Sequence, residues 1–175
     1  DVILGRGYPV EFFPEGGRSR TGRLLPPKKG MLAMTVESFL AQPARKVALV
    51  PVYVGYDKLV EGASYVKELR GAAKQSESAS GLLKATRIFK SSYGSPHVAF
   101  GEPIALEECL SRVEPEWRSK LQGGDESFIP AVVDYIAQEN MERVNAAAVI
   151  NPIGLVAMIL LSSPQRAMAE DELLT

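Results

Sequence analysis

"KVALVPVYVGY", residues 46–56, is the stretch whose reading decides the architecture. Its β-branched and aromatic residues follow one another without polar alternation, so it reads as a strand covered on both faces. Pro51 interrupts the run. Proline cannot donate to a strand ladder, so an edge position or a bulge is expected there.

Helical patterns flank this strand. In "MLAMTVESFLAQ" (31–42), Leu32, Val36, Phe39 and Leu40 fall on one helical face. "LLKATRIF" (82–89) reads as a helix, and "HVAFGEPIAL" (97–106) as a short strand closing on Gly101. "EECLSRVEPEW" (107–117) reads as a helix broken at Pro115, and a long helix is expected from Phe128 through Val132, Tyr135, Ile136 and Met141. Strands alternating with helices predict an α/β domain, with a mixed, partly parallel sheet flanked by helices and a helical C-terminal third. One partial domain is expected over 1–175, its strand and helix part covering about 1–105 and its helical part about 106–175. The chain begins at Asp1, which reads as a piece of a longer protein with the sheet incomplete at its N-terminus.

Composition narrows the function classes. Hydrophobic residues at 46% and charged residues at 23% are globular usage and argue against disorder. The formal net charge of −1 gives no global attraction to nucleic acid or anionic lipid, so any relevant electrostatics are local. A single cysteine, Cys109, excludes an internal disulfide and any multi-cysteine metal site, and no cluster implies a metal or redox cofactor. "AAAVINPIGLVAMILL" (146–161) is the most apolar stretch. Asn151, Pro152 and Gly154 interrupt it, and it falls short of the ~18–20 apolar residues of a spanning helix. A buried helix pair is the plain reading; a surface facing membrane or acyl chain is the other.

Local charge concentrates in one place. "YPVEFF" (8–13) reads as a strand leading into "FFPEGGRSRTG" (12–22) and then "LPPKKG" (25–30). No acidic residue lies between Glu15 and Glu37, whereas Arg18, Arg20, Arg23, Lys28 and Lys29 are all cationic. Gly16 and Gly17 allow close backbone approach to a ligand, and arginine forks suit phosphate. A solvated basic turn is the plain alternative. Gly17 and Gly22 have P-loop spacing, but Arg23 and Leu24 stand where that motif needs lysine and a hydroxyl, so the match fails. A nucleic-acid-binding turn would want an aromatic platform or a wider basic face, and neither accompanies it.

"FPEGGRSRTGRLLPPKKGML" (13–32) resembles the third conserved block of the glycerolipid acyltransferases, in the extended form of the bacterial membrane-associated glycerol-3-phosphate 1-O-acyltransferase branch. "LVPVYVGYDKLVEGASYVKELRGAAKQSES" (49–78), "VAFGEPIAL", "EPEWR" and "NPIGLVAMILLSSPQRAM" are similar to the same branch, so the resemblance covers essentially the whole chain. It implies acyl transfer from acyl-CoA or acyl-carrier protein, as co-substrate, to the sn-1 hydroxyl of glycerol 3-phosphate. Lysophosphatidate for phospholipid synthesis would be the product. It further implies work at a membrane surface, on the cytoplasmic face of the inner membrane, with no nucleic-acid partner.

By that resemblance Arg18 would bind the phosphate of glycerol 3-phosphate, assisted by Ser19 and Arg20. Glu15, Gly16 and Gly17 would shape the same substrate pocket, Glu15 orienting substrate or arginine. Pro51 matches the fourth block, where an acyl-donor role and a purely structural one stand equally. Lys67, Glu68, Lys74 and Glu77 match the branch pattern without an assignable chemistry and read as a solvated or salt-bridged face. The family's base is the histidine of a His-x4-Asp motif upstream of the third block, and the one histidine here, His97, lies downstream. With Glu102 it imitates the spacing, but in the wrong order and on a strand, so a structural role is expected. No catalytic residue is therefore expected in this chain. Since a general base contributes roughly 10²–10⁴-fold, the isolated chain is expected to be nearly inactive. The alternative is a non-catalytic phosphate- or lipid-binding module that lacks the base.

Overall fold

The computed structural model describes residues 2–17, 23–43, 45–56 and 95–173. The helix expected over 82–89, the mixed stretch 57–75 and the positions Lys67, Glu68, Lys74 and Glu77 lie outside the described residues. Two compact units are distinguished, one of Asp1–Tyr53 with Ala99–Ala147 and one of Val54–Val98 with Ala148–Thr175.

The first unit holds the core. Helix α1 (Val2–Gly5) leads to α2 (Gly30–Ala41), which starts as soon as Pro26 and Pro27 are passed. The four residues expected on its inner face, Leu32, Val36, Phe39 and Leu40, are all buried. Thr35 is buried beside them and remains satisfied because its Oγ1 donates to the Met31 carbonyl at 2.9 Å. After the turn at Gly101 come α3 (Leu106–Val113), α4 (Trp117–Gln122) and α5 (Ile129–Ala146). Helix α3 carries Glu107 and Glu108 in its first turn and Arg112 in its last, both favourable to the helix dipole. It stops short of Pro115, as its sequence requires.

Pro130 sits in the first turn of α5, where a missing N–H costs nothing. From there Val132, Val133, Ile136 and Ala137 form the stripe that meets α2 and α3. Trp117 fills the centre at 1% exposure, its ring 6.2 Å from that of Phe39 and its indole N–H donating to Ser111 Oγ at 3.3 Å.

The strands depart from expectation in an instructive way. The run 46–56 is two strands, β1 (Ala48–Leu49) and β2 (Val52–Tyr56), with Pro51 in neither. Strand β1 pairs antiparallel with β4 (Ile104–Ala105), Leu49 opposite Ile104, while β2 pairs with β3 (Pro96–Phe100). Pro51 is thus the point at which the chain changes partners, since its nitrogen has no hydrogen to give. Nor is β2 covered on both faces: Val52, Val54 and Tyr56 are exposed and alternate with half-buried residues, because a two-stranded sheet offers one of its faces no partner layer. The described strands form two small two-stranded sheets, and no parallel pair is among them.

In the second unit, α6 (Pro152–Ser162) opens on an N-cap in which Asn151 Oδ1 accepts from the Gly154 N–H at 2.6 Å. A short helix, α7 (Glu170–Leu173), follows. The buried helix pair expected over 146–161 does not form. Asn151 and Pro152 begin one new helix, and none of its residues is buried: Met158 is 62% and Leu161 70% exposed. Apolar side chains surround the helix on all sides, so its sequence demands cover without specifying which face receives it. Among the described residues, no helix is long and apolar enough to cross a membrane.

Candidate functional site

The basic loop is built on an irregular stem. Residues 8–13 are not the expected strand: they have no regular structure, and Phe13 is 77% exposed. Pro9 and Pro14 remove two ladder donors from a short segment, and no described strand pairs with it. Phe12 and Pro14 nonetheless face the domain, sharing a cavity of about 10 Å³ with Pro27, Leu32 and Leu49.

Three contacts close the stem. The Lys28 N–H donates to the Pro14 carbonyl at 2.6 Å, and the Gly16 N–H to the Phe13 carbonyl at 3.1 Å. Glu15 Oε2 accepts from the Leu25 N–H at 2.8 Å, ten residues along the chain. Gly16 turns with φ +60°, and a Cβ there would lie 2.8 Å from Lys28 Cγ. Gly16 is therefore required both by its left-handed backbone and by its neighbour. Among the described residues, none comes within 4 Å of where a Cβ on Gly17 would stand. Arg18, Ser19 and Arg20, with Thr21 and Gly22, lie outside the described residues.

The cations flanking the loop differ in their surroundings. Lys29 Nζ lies 2.6 Å from Asp134 Oδ1 on α5, a carboxylate that the local sequence gives no hint of. Lys28 and Arg23 are exposed. Beside the loop runs an open groove of about 640 Å³, walled by Leu24, Pro27 and Lys29 on one side and Gln138, Met141 and Asn145 of α5 on the other.

Pro51 is buried, and its carbonyl accepts from the Gly101 N–H at 2.8 Å. Sequence reasoning missed the residue that secures this turn. Arg143, at the end of α5, donates from Nη1 to the carbonyls of Glu102 at 3.0 Å and Pro103 at 2.8 Å. Its guanidinium also pairs with Glu139 at 2.7 Å, and that hydrogen bond raises the arginine further above its ordinary value. An i, i+4 spacing of glutamate and arginine was the available signal, but it normally marks only a solvated helix face. His97 stands in β3, half-buried, on the strand anticipated for it.

A family model described as "Glycerol-3-phosphate acyltransferase C-terminal region" matches residues 65–175, and one described as "Acyltransferase" matches residues 2–55. The chain belongs to the glycerol-3-phosphate acyltransferase family.

Three relatives bear the name glycerol-3-phosphate acyltransferase. That of Xanthomonas campestris is 47% identical over 175 residues, covering 98% of this chain and 20% of the relative. That of Xylella fastidiosa is 45% identical over the same length, with the same shares. That of Pseudomonas aeruginosa is 43% identical over 174 residues, covering 98% of this chain and 21% of the relative. The chain thus spans about a fifth of the length of the curated glycerol-3-phosphate acyltransferases it matches. The loop stem, Gly16, Gly17 and Pro51 all lie within the segment that matches the acyltransferase model.

Proposed function

We propose that this chain is the glycerol-phosphate-binding part of an acyltransferase whose remaining sequence supplies the base. The complete enzyme would move a fatty acyl group from acyl-CoA or acyl-carrier protein to the sn-1 hydroxyl of glycerol 3-phosphate, releasing the thiol and lysophosphatidate. The observation that carries this reading is the 43–47% identity to proteins of that name over 98% of the chain.

The chemistry divides accordingly. Arg18 pairs with the phosphate through its planar fork, and Ser19 and Arg20 add donors to the same oxygens. Gly16 and Gly17 keep side chains out of the approach. Anchoring the phosphate holds the sn-1 hydroxyl at a constant distance from the thioester carbonyl, which turns binding into rate. A His-x4-Asp base outside this chain takes the hydroxyl proton as the C–O bond forms. The tetrahedral intermediate then collapses with departure of the thiol.

Pro51 serves this site by setting the partner change between β1 and β2. The two short sheets belong to a larger, partly parallel sheet flanked by helices, completed by the rest of the parent protein. The apolar, exposed surface of α6 supports a membrane contact, and the water-insoluble acyl product favours the cytoplasmic face of the inner membrane as the place of work.

The test is acyl transfer from palmitoyl-CoA to glycerol 3-phosphate by the full-length parent, compared with its Arg18→Ala variant. The expected result is turnover in the wild type and a KM for glycerol 3-phosphate raised about 10–100-fold by the loss of a charge-assisted pair. Binding of glycerol 3-phosphate without turnover in the wild type would replace the enzyme with a non-catalytic binding module.

A further inference from the structure

Resting on that reading, we infer that Arg143 is a positioning residue for glycerol 3-phosphate binding. It acts through its neighbours, by fixing the turn 101–103 and, through that turn, Pro51 and the stem of the basic loop.

Two short paths lead from the guanidinium toward the site. Arg143 Nη1 donates to the carbonyls of Glu102 at 3.0 Å and Pro103 at 2.8 Å. One residue before Glu102, the Gly101 N–H donates to the Pro51 carbonyl at 2.8 Å. One residue after Pro103, Ile104 stands opposite Leu49 in the β1–β4 pair. Leu49 lines the small cavity shared with Phe12 and Pro14, the residues that lead into Glu15 and Gly16. The paths also join the two matched segments. Arg143 and the turn lie in the one described as the C-terminal region, whereas Pro51, Leu49 and the stem lie in the one described as acyltransferase.

The turn needs a holder. Strands β1 and β4 have two residues each, Pro51 has no N–H to add to a ladder, and Glu102 and Pro103 are exposed and belong to no strand. An arginine suits the task. Glu139 Oε1 accepts from Nε at 2.8 Å and lies 2.7 Å from Nη2, which orients the planar group and leaves Nη1 aimed at the two carbonyls. Lysine keeps the charge but has no fork to serve the carboxylate and both carbonyls together. Alanine removes every one of these bonds.

The experiment compares wild type, Arg143→Lys and Arg143→Ala in the full-length parent. Three quantities are read: KM for glycerol 3-phosphate, KM for palmitoyl-CoA, and hydrogen exchange in peptides that isolate the Gly101 amide. Arg143→Ala should raise KM for glycerol 3-phosphate about tenfold, as expected when charge-assisted bonds that hold a site are lost. Arg143→Lys should raise it about threefold or more, since a point charge replaces a fork. KM for palmitoyl-CoA should stay within about twofold in both, a split that a smaller folded fraction does not produce. The Gly101 amide should lose protection in step with the rise.

An unchanged KM for glycerol 3-phosphate in both variants, an equal rise for both substrates, or full protection of Gly101 in Arg143→Ala would overturn the inference. If Arg143→Ala does not fold, Arg143→Lys decides alone. If wild type shows no acyl transfer, the proposed enzyme fails, and affinity for glycerol 3-phosphate, read by calorimetry, replaces KM in the same comparison. A wild type that binds none would sink the positioning role as well.

Discussion

The β-carbon that Gly101 lacks would lie 3.2 Å from the Cβ of Pro51 and 3.1 Å from the carbonyl oxygen of Arg143. Three segments distant in sequence therefore meet at one α-carbon: the break between β1 and β2, the turn after β3, and the last turns of α5. Arg143 holds the same turn from the other side through the Glu102 and Pro103 carbonyls.

Gly101→Ala is accordingly expected to destabilise the protein by about 1–3 kcal/mol, since neither a backbone oxygen nor a proline ring can rotate away. Hydrogen exchange should show the β1–β4 pair and the end of α5 opening more readily than in wild type. Unchanged protection at both would mean that the turn yields at little cost.

Trp117→Ala should cost about 3–5 kcal/mol through the cavity it leaves among α2, α3 and α5. The guanidinium of Arg118, stacked 4.3 Å from the indole ring, would lose its seat as well. Trp117→Phe keeps most of the volume and gives up only the indole hydrogen bond to Ser111, whose hydroxyl still donates to the Glu107 carbonyl, so it should fall well short of that loss. Equal instability of the two variants, measured by denaturant titration with α5 exchange as the probe, would refute the packing account.

Cys109 is buried in the core, and burial pushes its thiol upward, with Glu139 adding to the shift. The thiolate is the reactive species, so little of it exists at neutral pH. Iodoacetamide at pH 7.5 should leave the Cys109 peptide largely unmodified in native protein and modify it fully in guanidinium. Rapid native labelling, read by peptide mass spectrometry, would contradict the burial.

Glu114 lies 2.6 Å from Lys120, and this hydrogen bond lowers the carboxyl from its ordinary value of 4.5 while raising the lysine above 10.5. A depressed carboxyl contributes stability that is present above its unfolded value and lost as pH falls through the folded one. The raised lysine contributes below about 10.5 and loses that contribution as pH rises further. Glu114→Gln should therefore narrow the stability difference from wild type as pH drops below 4.5, with the two converging in strong acid. A difference constant from pH 3 to 8 would show that the pair is not electrostatically coupled.

Much of the helical framework was legible beforehand because each helix carries its own period. The four inner residues of α2, the break at Pro115, and Val132 and Ile136 of α5 needed only local spacing and local breakers, whereas Val133 and Ala137 of the α5 stripe were not anticipated. Two readings failed for one shared reason. A strand at 8–13 and a doubly covered strand at 46–56 were inferred from residue type, but a strand exists only if another segment pairs with it. Apolar composition likewise announced that 152–162 wants cover, and composition cannot name the covering surface.

The sequence by itself determined the family and the positions of α2, α3 and α5, since these depend on residues near one another or on patterns of type. Only the tertiary structure decided how the stem of the basic loop is held. The Glu15–Leu25 brace, the Lys29–Asp134 pair, and the junction of Pro51, Gly101 and Arg143 join residues between ten and more than a hundred positions apart. No local rule of propensity or spacing brings such residues together; Lys29 and Asp134, for one, meet because α2 packs against α5.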